Sequence, residues 1–265
     1  MFDTPPSATV GGQPTIGLDR LVDYKRTAYA VWEITLKCNL ACQHCGSRAG
    51  DERPHELTTA EAFDLIDQMR DAGITEITLI GGEAYLRADW LQLIDRINKS
   101  GMMCTMVTGG YGISRATAQK MKDSGLASVS VSIDGLEKAH DRLRGKPGSW
   151  KNCFTSMSHF KAVGLDFGFN TQINRLSGPD LPELYVRARD AGVSGWQFSL
   201  TVPMGNAADH PELLIQPAEI DDLYRMLARI ANRANSEGVS VLPGNDIGYF
   251  GPYETILRKK HQAMG

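Results

Sequence analysis

The sequence predicts an α/β fold, a partial (β/α)6 TIM-like barrel with parallel strands inside and helices outside. Three observations carry that prediction. Six strand-then-helix units repeat along the chain; the strands alternate apolar and polar residues; and a thiol, a glycine or a short polar side chain follows each strand. Repeated alternation of strand and helix implies parallel strands joined by crossover helices. A closed eight-stranded barrel fills its centre with branched apolar side chains, and a fully covered parallel sheet reads as nearly continuous Val/Ile/Leu. These strands instead keep one polar face, which fits an incomplete barrel around a hydrated lumen. An open sheet covered on one side is the other arrangement compatible with that pattern.

Each unit has its own signals. Residues 1–24, rich in Gly, Pro and Thr, read as an N-terminal arm. VWEITL (31–36) is the first strand, setting Trp32, Ile34 and Leu36 against Glu33, Thr35 and Lys37. Helix 58–73 starts at a Thr and stops at a Gly. Strand 76–80 leads into helix 88–101, strand 102–108 into helix 114–125, and strand 128–134 into helix 149–164. Strand 166–174 leads into helix 181–192, and strand 195–202 into helix 217–238. In SVSVSID, Val129, Val131 and Ile133 share one face while Ser128, Ser130, Ser132 and Asp134 share the other; Trp196, Phe198 and Leu200 likewise oppose Gln197, Ser199 and Thr201. Residues 25–240 form the core domain on this reading, and residues 241–265 a C-terminal extension.

Composition narrows the function. A net charge of −3 over 265 residues, with both signs dispersed, offers no basic surface for nucleic acid or anionic membrane. No apolar run approaches the roughly 20 residues that span a bilayer, and the N-terminus has no basic-then-apolar leader. A cytoplasmic location is expected. Three of the five cysteines, Cys38, Cys42 and Cys45, fall within eight residues, a pattern of metal ligation in a reducing compartment and not of disulfide pairing. Cys104 and Cys153 lie in apolar-patterned segments and read as inert buried thiols.

Ligands collect at the carboxyl ends of parallel strands. Here those ends carry CNLACQHC, GGEAYLR, TGGYG, DG, NR and PMGN, so six termini can converge on one site. The C-x3-C-x2-C loop could bind zinc with His44 as fourth ligand, but His44 is adjacent to Cys45, and zinc knuckles come as separated pairs. An iron–sulfur cubane suits three thiolates better and leaves one iron without a protein ligand.

With GGE after the second strand, this loop resembles the radical S-adenosylmethionine (radical SAM) enzymes, from about Trp32 to Ala207. The resemblance implies a [4Fe-4S] cluster on Cys38, Cys42 and Cys45, with S-adenosylmethionine on the unique iron. It also implies one-electron cleavage to a 5′-deoxyadenosyl radical that abstracts a substrate hydrogen. Gly81 and Gly82 would let backbone approach the methionine end of the cofactor, and Glu83 would meet its ammonium group. Thr108, Ser132 and Arg144 are candidates for its carboxylate and ribose, Asn174 and the backbone near Pro203 for ribose and adenine. His44, where the family often has an aromatic residue, would pack beside the adenine. Gly109 replaces the Asn of a frequent TNG turn. Tyr85 and Arg87 are either loop-packing residues or part of the lumen rim. Asp134, Gln172, Gln197 and Glu33 can face the lumen, with no catalytic group distinguished among them.

CNLACQHCGSRAG, GGEAYLR, VSVSIDG with HDRLRG, and VPMGNAAD look most like the SPASM branch, which often matures ribosomally made peptides. That branch carries further cysteines for auxiliary clusters, and none stands in GYFGPYETILRKKHQAMG, so residues 241–265 read as a C-terminal extension, either the truncated start of a SPASM-type region or part of a genuine short form. The expected partners are a peptide substrate, or a small metabolite or cofactor precursor, and a reductant such as flavodoxin or ferredoxin. A non-catalytic iron–sulfur or zinc module is the alternative from another class.

Overall fold

The computed structural model describes residues 28–244 and 246–258, together with the backbone of Thr9–Val10 and Gln13–Pro14, which pair antiparallel. Most of the arm expected over residues 1–24, and the end of the C-terminal extension, lie outside the described residues.

Seven parallel strands follow one another in sequence order across a single sheet: β1 (Ala28–Glu33), β2 (Ile74–Ile80), β3 (Met103–Thr108), β4 (Ser128–Ser132), β5 (Asp166–Ile173), β6 (Gly195–Leu200) and β7 (Ser240–Pro243). The sheet curls into a half-barrel with helices around it, as the alternation predicted. The seventh strand was not anticipated. Four residues carry little pattern, and β7 is recognisable only because Gly195–Phe198 pairs with Ser240–Pro243 in register.

The outer helices are α1 (Thr59–Asp71), α2 (Trp90–Lys99), α3 (Arg115–Asp123), α4 (Glu137–Arg144), α5 (Ser149–Val163), α6 (Leu181–Ala191) and α7 (Ile220–Ser236). Thr58 caps α1 in a reciprocal box: its hydroxyl accepts from the Glu61 amide, and Glu61 accepts from the Thr58 amide at 2.8 Å. In α2, Trp90, Leu93, Ile94 and Ile97 are buried at helical spacing. Helix α4 was not read from the sequence as a helix, because eight residues with only Ala139 and Leu143 as buried apolar positions carry too weak a stripe.

The core lies between the helices and the apolar face of the sheet. Val129, Val131 and Ile133 are essentially inaccessible, each contributing about 1.5–3 kcal/mol by burial. Trp196 stacks on its register partner Phe169, centroids 5.4 Å apart, and donates its indole N–H to Thr171 at 3.0 Å. The first strand is displaced from the expected 31–36. Ile34 still donates to Ile80, but Leu36 then donates to the Glu56 carboxylate at 2.8 Å, and the chain leaves the strand beyond Ile34 to enter the cysteine loop.

Candidate active site at the strand carboxyl ends

The segments after β1, β2, β3, β4 and β6, with the carboxyl-terminal half of β5, surround a cleft of about 240 Å³. Cys38, Cys42 and Cys45 line it from one wall; Gly81, Gly82, Glu83, Thr108, Ser132, Arg144 and His44 line the rest, with Asn170 and Gln172 from the polar face of β5. Ten of the eleven residues singled out from the sequence therefore share one cavity. Asn174 does not. It is fully buried, its side-chain oxygen accepting from the Leu176 and Ser177 amides at 3.0 Å each, so it closes the turn after β5.

The cysteine loop is gripped on several sides. Gln43 and Ala41 donate backbone N–H bonds to the Leu143 and Arg144 carbonyls at 2.8 and 3.1 Å, so the loop satisfies the last turn of α4. Asn206, after β6, donates its amide N–H to the Cys45 carbonyl at 2.8 Å and its side-chain N–H to the Cys42 carbonyl at 2.9 Å. Across the other side, the Gly82 and Glu83 amides donate to Thr35 and Lys37 at 2.8 Å each. These contacts give the glycines a reason of their own within the protein. A Cβ on Gly82 would lie 2.5 Å from the carbonyl oxygens of both Leu36 and Lys37, and one on Gly81 2.7 Å from that of Thr35. The missing side chains thus let the GGE ridge dock against the approach to the cysteine loop. Gly145, in left-handed backbone, is held equally close to the Ala41 carbonyl.

Glu83 is 2% exposed. Thr108 donates its hydroxyl to one carboxylate oxygen at 2.6 Å and Gly109 its amide N–H to the other. Burial pushes the Glu83 carboxyl up to about 7, although Thr108, Gly109 and Arg144 oppose the shift. A Cβ on Gly109 would lie 2.6 Å from that carboxylate, so an Asn cannot replace it without displacing Glu83.

Asp134 is the residue whose role the sequence left undefined. It is fully buried and joins His44 Nε2 at 3.0 Å to Arg144 Nη2 at 2.7 Å, while its other oxygen accepts from the Gln172 amide at 2.9 Å. Burial alone would raise its carboxyl; Arg144 and His44 outweigh that and hold it well below the usual carboxylate range. Arg144 also donates Nη1 toward Cys42 Sγ at 3.7 Å. One buried chain of charge thus runs from the end of β4 to the middle cysteine. The parity of SVSVSID, which places Asp134 with the serines, was the available signal.

Other readings resolve simply. Tyr85 donates to the Tyr111 carbonyl, and Arg87 to the Ile34 and Leu57 carbonyls and to Asp89, so both pack loops. Gln197, the register partner of Asn170, keeps the polar face and is exposed there, and Glu33 pairs with Arg53. Cys104 and Cys153 are inaccessible, as expected.

The donor set fits a cluster. All three loop cysteines are free thiols on one cavity wall. Among the described residues no three His, Cys, Asp or Glu side chains close around a single-ion position. His44 Nε2 is committed to Asp134. A cubane, which gives each thiolate a different iron, accommodates separated sulfurs where tetrahedral zinc does not. Burial raises the Cys38 thiol to about 11 and raises Cys42 as well, so loading must displace protons.

Comparison with known proteins agrees with this geometry. A family model described as "Radical SAM superfamily" matches residues 32–185. The AdoMet-dependent heme synthase of Nitratidesulfovibrio vulgaris is 33% identical over 89% of this chain and 71% of its own length. That of Oleidesulfovibrio alaskensis is 30% identical over 81% of this chain, which spans 61% of that protein. The mycofactocin maturase MftC of Mycolicibacterium smegmatis is 29% identical over 67% of this chain and 45% of its own length. Among solved structures, Streptococcus suis SuiB bound to S-adenosylmethionine superposes with a TM-score of 0.70 at 15% identity, covering 87% of this chain and 52% of SuiB. That last likeness is one of fold.

Proposed function

Because this chain belongs to the radical SAM superfamily, whose cofactors are a [4Fe-4S] cluster and S-adenosylmethionine, we propose that it abstracts a hydrogen atom from an amide-bearing substrate, a ribosomally made peptide. When bound, the cluster supplies the electron that cleaves the sulfonium to methionine and the 5′-deoxyadenosyl radical. The protein supplies the rest. Cys38, Cys42 and Cys45 would hold the cluster, with Asn206 and the end of α4 fixing their loop. Glu83, oriented by Thr108 and Gly109, keeps a lone pair on each oxygen for the cofactor ammonium. Ser132 and Asn170 stand on the cleft wall within the reach of a ribose, and the buried Asn170 side-chain oxygen has no partner in the protein.

The observation that carries the substrate class is the charge of the lumen wall. By strand alternation and register this face presents Thr78, Thr105, Ser128, Ser130, Ser132, Asn170, Gln172, Gln197 and Ser199, interspersed with the apolar Tyr29, Val31, Ile80, Met103, Val107 and Leu242, with Glu33, Glu76 and Asp166 as its ionisable groups. Among the described strand residues none on this face is Lys or Arg, and the Arg144 charge at its rim is already matched by Asp134. Amides and hydroxyls suit a peptide backbone, whereas the several carboxylates of a tetrapyrrole would go without cations. A tetrapyrrole precursor remains the second reading, favoured by the 33% identity to a heme synthase. Deuterium transfer into 5′-deoxyadenosine, read by mass spectrometry with labelled candidates of each class, tests the choice. Transfer from a peptide is expected; transfer from a tetrapyrrole alone would replace the first reading by the second.

A further inference from the structure

A cluster buried behind a loop must receive its electron through some surface, and the loop's own contacts indicate which. Helix α4 ends against the cysteine loop: the Leu143 and Arg144 carbonyls accept from Gln43 and Ala41, on either side of Cys42, and the Arg144 guanidinium reaches the Cys42 sulfur. The outer side of this junction is open. Ala41, Arg142 and Gly145 are exposed, and the absence of a side chain at Gly145 keeps the backbones in close approach. A partner resting there would touch Ala41, the chain neighbour of Cys42.

The same surface is cationic. Lys138 and Arg142 stand one turn apart on α4, Lys146 follows past the left-handed Gly145 that ends it, and among the described residues none of the three forms an ion pair; Lys146 lies over the Tyr111 ring, 5.1 Å from its centroid. Of the acids interspersed with them, Glu137 is neutralised by a lysine, whereas Asp141 is held by neutral amides and keeps its charge, so the surface is cationic by excess. Glu137 pairs with Lys151 at 2.8 Å, and the two oxygens of Asp141 accept from the Gly148 and Trp150 amides at 2.6 and 2.8 Å. Excess positive charge beside the backbone that carries Cys42 is an arrangement that steers an oppositely charged partner to it.

We propose that the exposed face of α4, with Ala41 and Gly145 at its centre and Lys138, Arg142 and Lys146 around it, docks an acidic one-electron carrier protein. The reduced carrier loses one electron, the cluster gains one, and no bond is made or broken in the transfer. The proposal rests on the cluster assignment above.

The test uses anaerobically reconstituted protein and stopped-flow bleaching of the cluster absorbance. The probe is flavodoxin hydroquinone, an acidic carrier, and the control is photoreduced 5-deazariboflavin, which is small and uncharged. In Arg142→Glu with Lys146→Glu, the second-order rate with flavodoxin is expected to fall at least tenfold and to lose most of its dependence on salt, while the flavin rate and iron content stay within twofold of the parent. Lys120→Glu, on exposed α3, is expected to leave both rates unchanged. A flavodoxin rate within twofold of the parent in the double variant, or equal slowing in Lys120→Glu, overturns the docking surface. Equal slowing with the neutral flavin overturns it too, because it would place the effect in the cluster. Failure of the parent to acquire a chromophore would sink the cluster assignment instead.

Discussion

Single residues decide whether the site can be loaded. Cys42→Ala should abolish the iron chromophore after anaerobic reconstitution while Cys104→Ala retains full iron content, as assayed by absorbance and iron analysis; loss of iron in the second would show that the wrong thiols were chosen. For Glu83 the direction of the pH effect follows from burial. Its carboxyl titrates near 4.5 when unfolded and about 7 when folded, so the folded state binds the extra proton between those values. Apo-protein stability should therefore be highest, with respect to this group, below the unfolded value and fall by about 3 kcal/mol as pH rises to 7 and beyond. Urea midpoints at pH 5 and pH 8 measure it, and Glu83→Gln should lack that component. Cofactor affinity should run the opposite way, rising with pH through about 7 as the carboxylate forms, and the variant should bind weakly at every pH. Asp134 belongs at this scale as well: Asp134→Ala leaves Arg144 buried without its counter-charge, which typically costs about 3–5 kcal/mol, with Asp134→Asn milder in the same urea titration. The cysteines and Glu83 were legible in the sequence because spacing and order along the chain specify them. Asp134 and Asn206 were not, since their importance lies in partners 90 and 164 residues away.

At the scale of elements, alternation located the six long strands and their helices but not β7 or α4. Both are short, and both are specified by what they pack on more than by their own pattern. The boundary error on β1 has the same origin, because residues 35–37 keep the strand's alternating pattern after leaving the sheet. The glycine ridge is the element most exposed to a conservative change. Gly82→Ala should push β2's end away from residues 36–37, so that iron uptake falls severalfold even though every cysteine remains. Thr58→Ala, by contrast, removes only the α1 cap, a loss of about 1 kcal/mol in urea unfolding with iron uptake unaffected. The pair separates damage to the site from damage to the fold.

For the whole molecule, the polar face that signalled an incomplete barrel is also what makes the interior usable. A closed apolar barrel leaves nowhere for a substrate to lie, whereas the half-barrel leaves a wall of hydroxyls and amides with apolar side chains between them, running up to the cleft. The curvature could be inferred from the strands; the substrate could not, because the chain spans only 54–71% of the heme synthases it matches and about half of SuiB. If the lumen charge governs selection, a double substitution that adds cations there, Ser130→Arg with Gln197→Arg, should weaken capture of basic peptides and leave cofactor cleavage without substrate unchanged, as read by 5′-deoxyadenosine yield.

The grip on the cysteine loop from α4, the GGE ridge and Asn206 has one more consequence. A mould already set before its casting is poured loses little disorder when filled, so cluster insertion should change the amide exchange of residues 38–45 far less than it would for a floppy chelating tail.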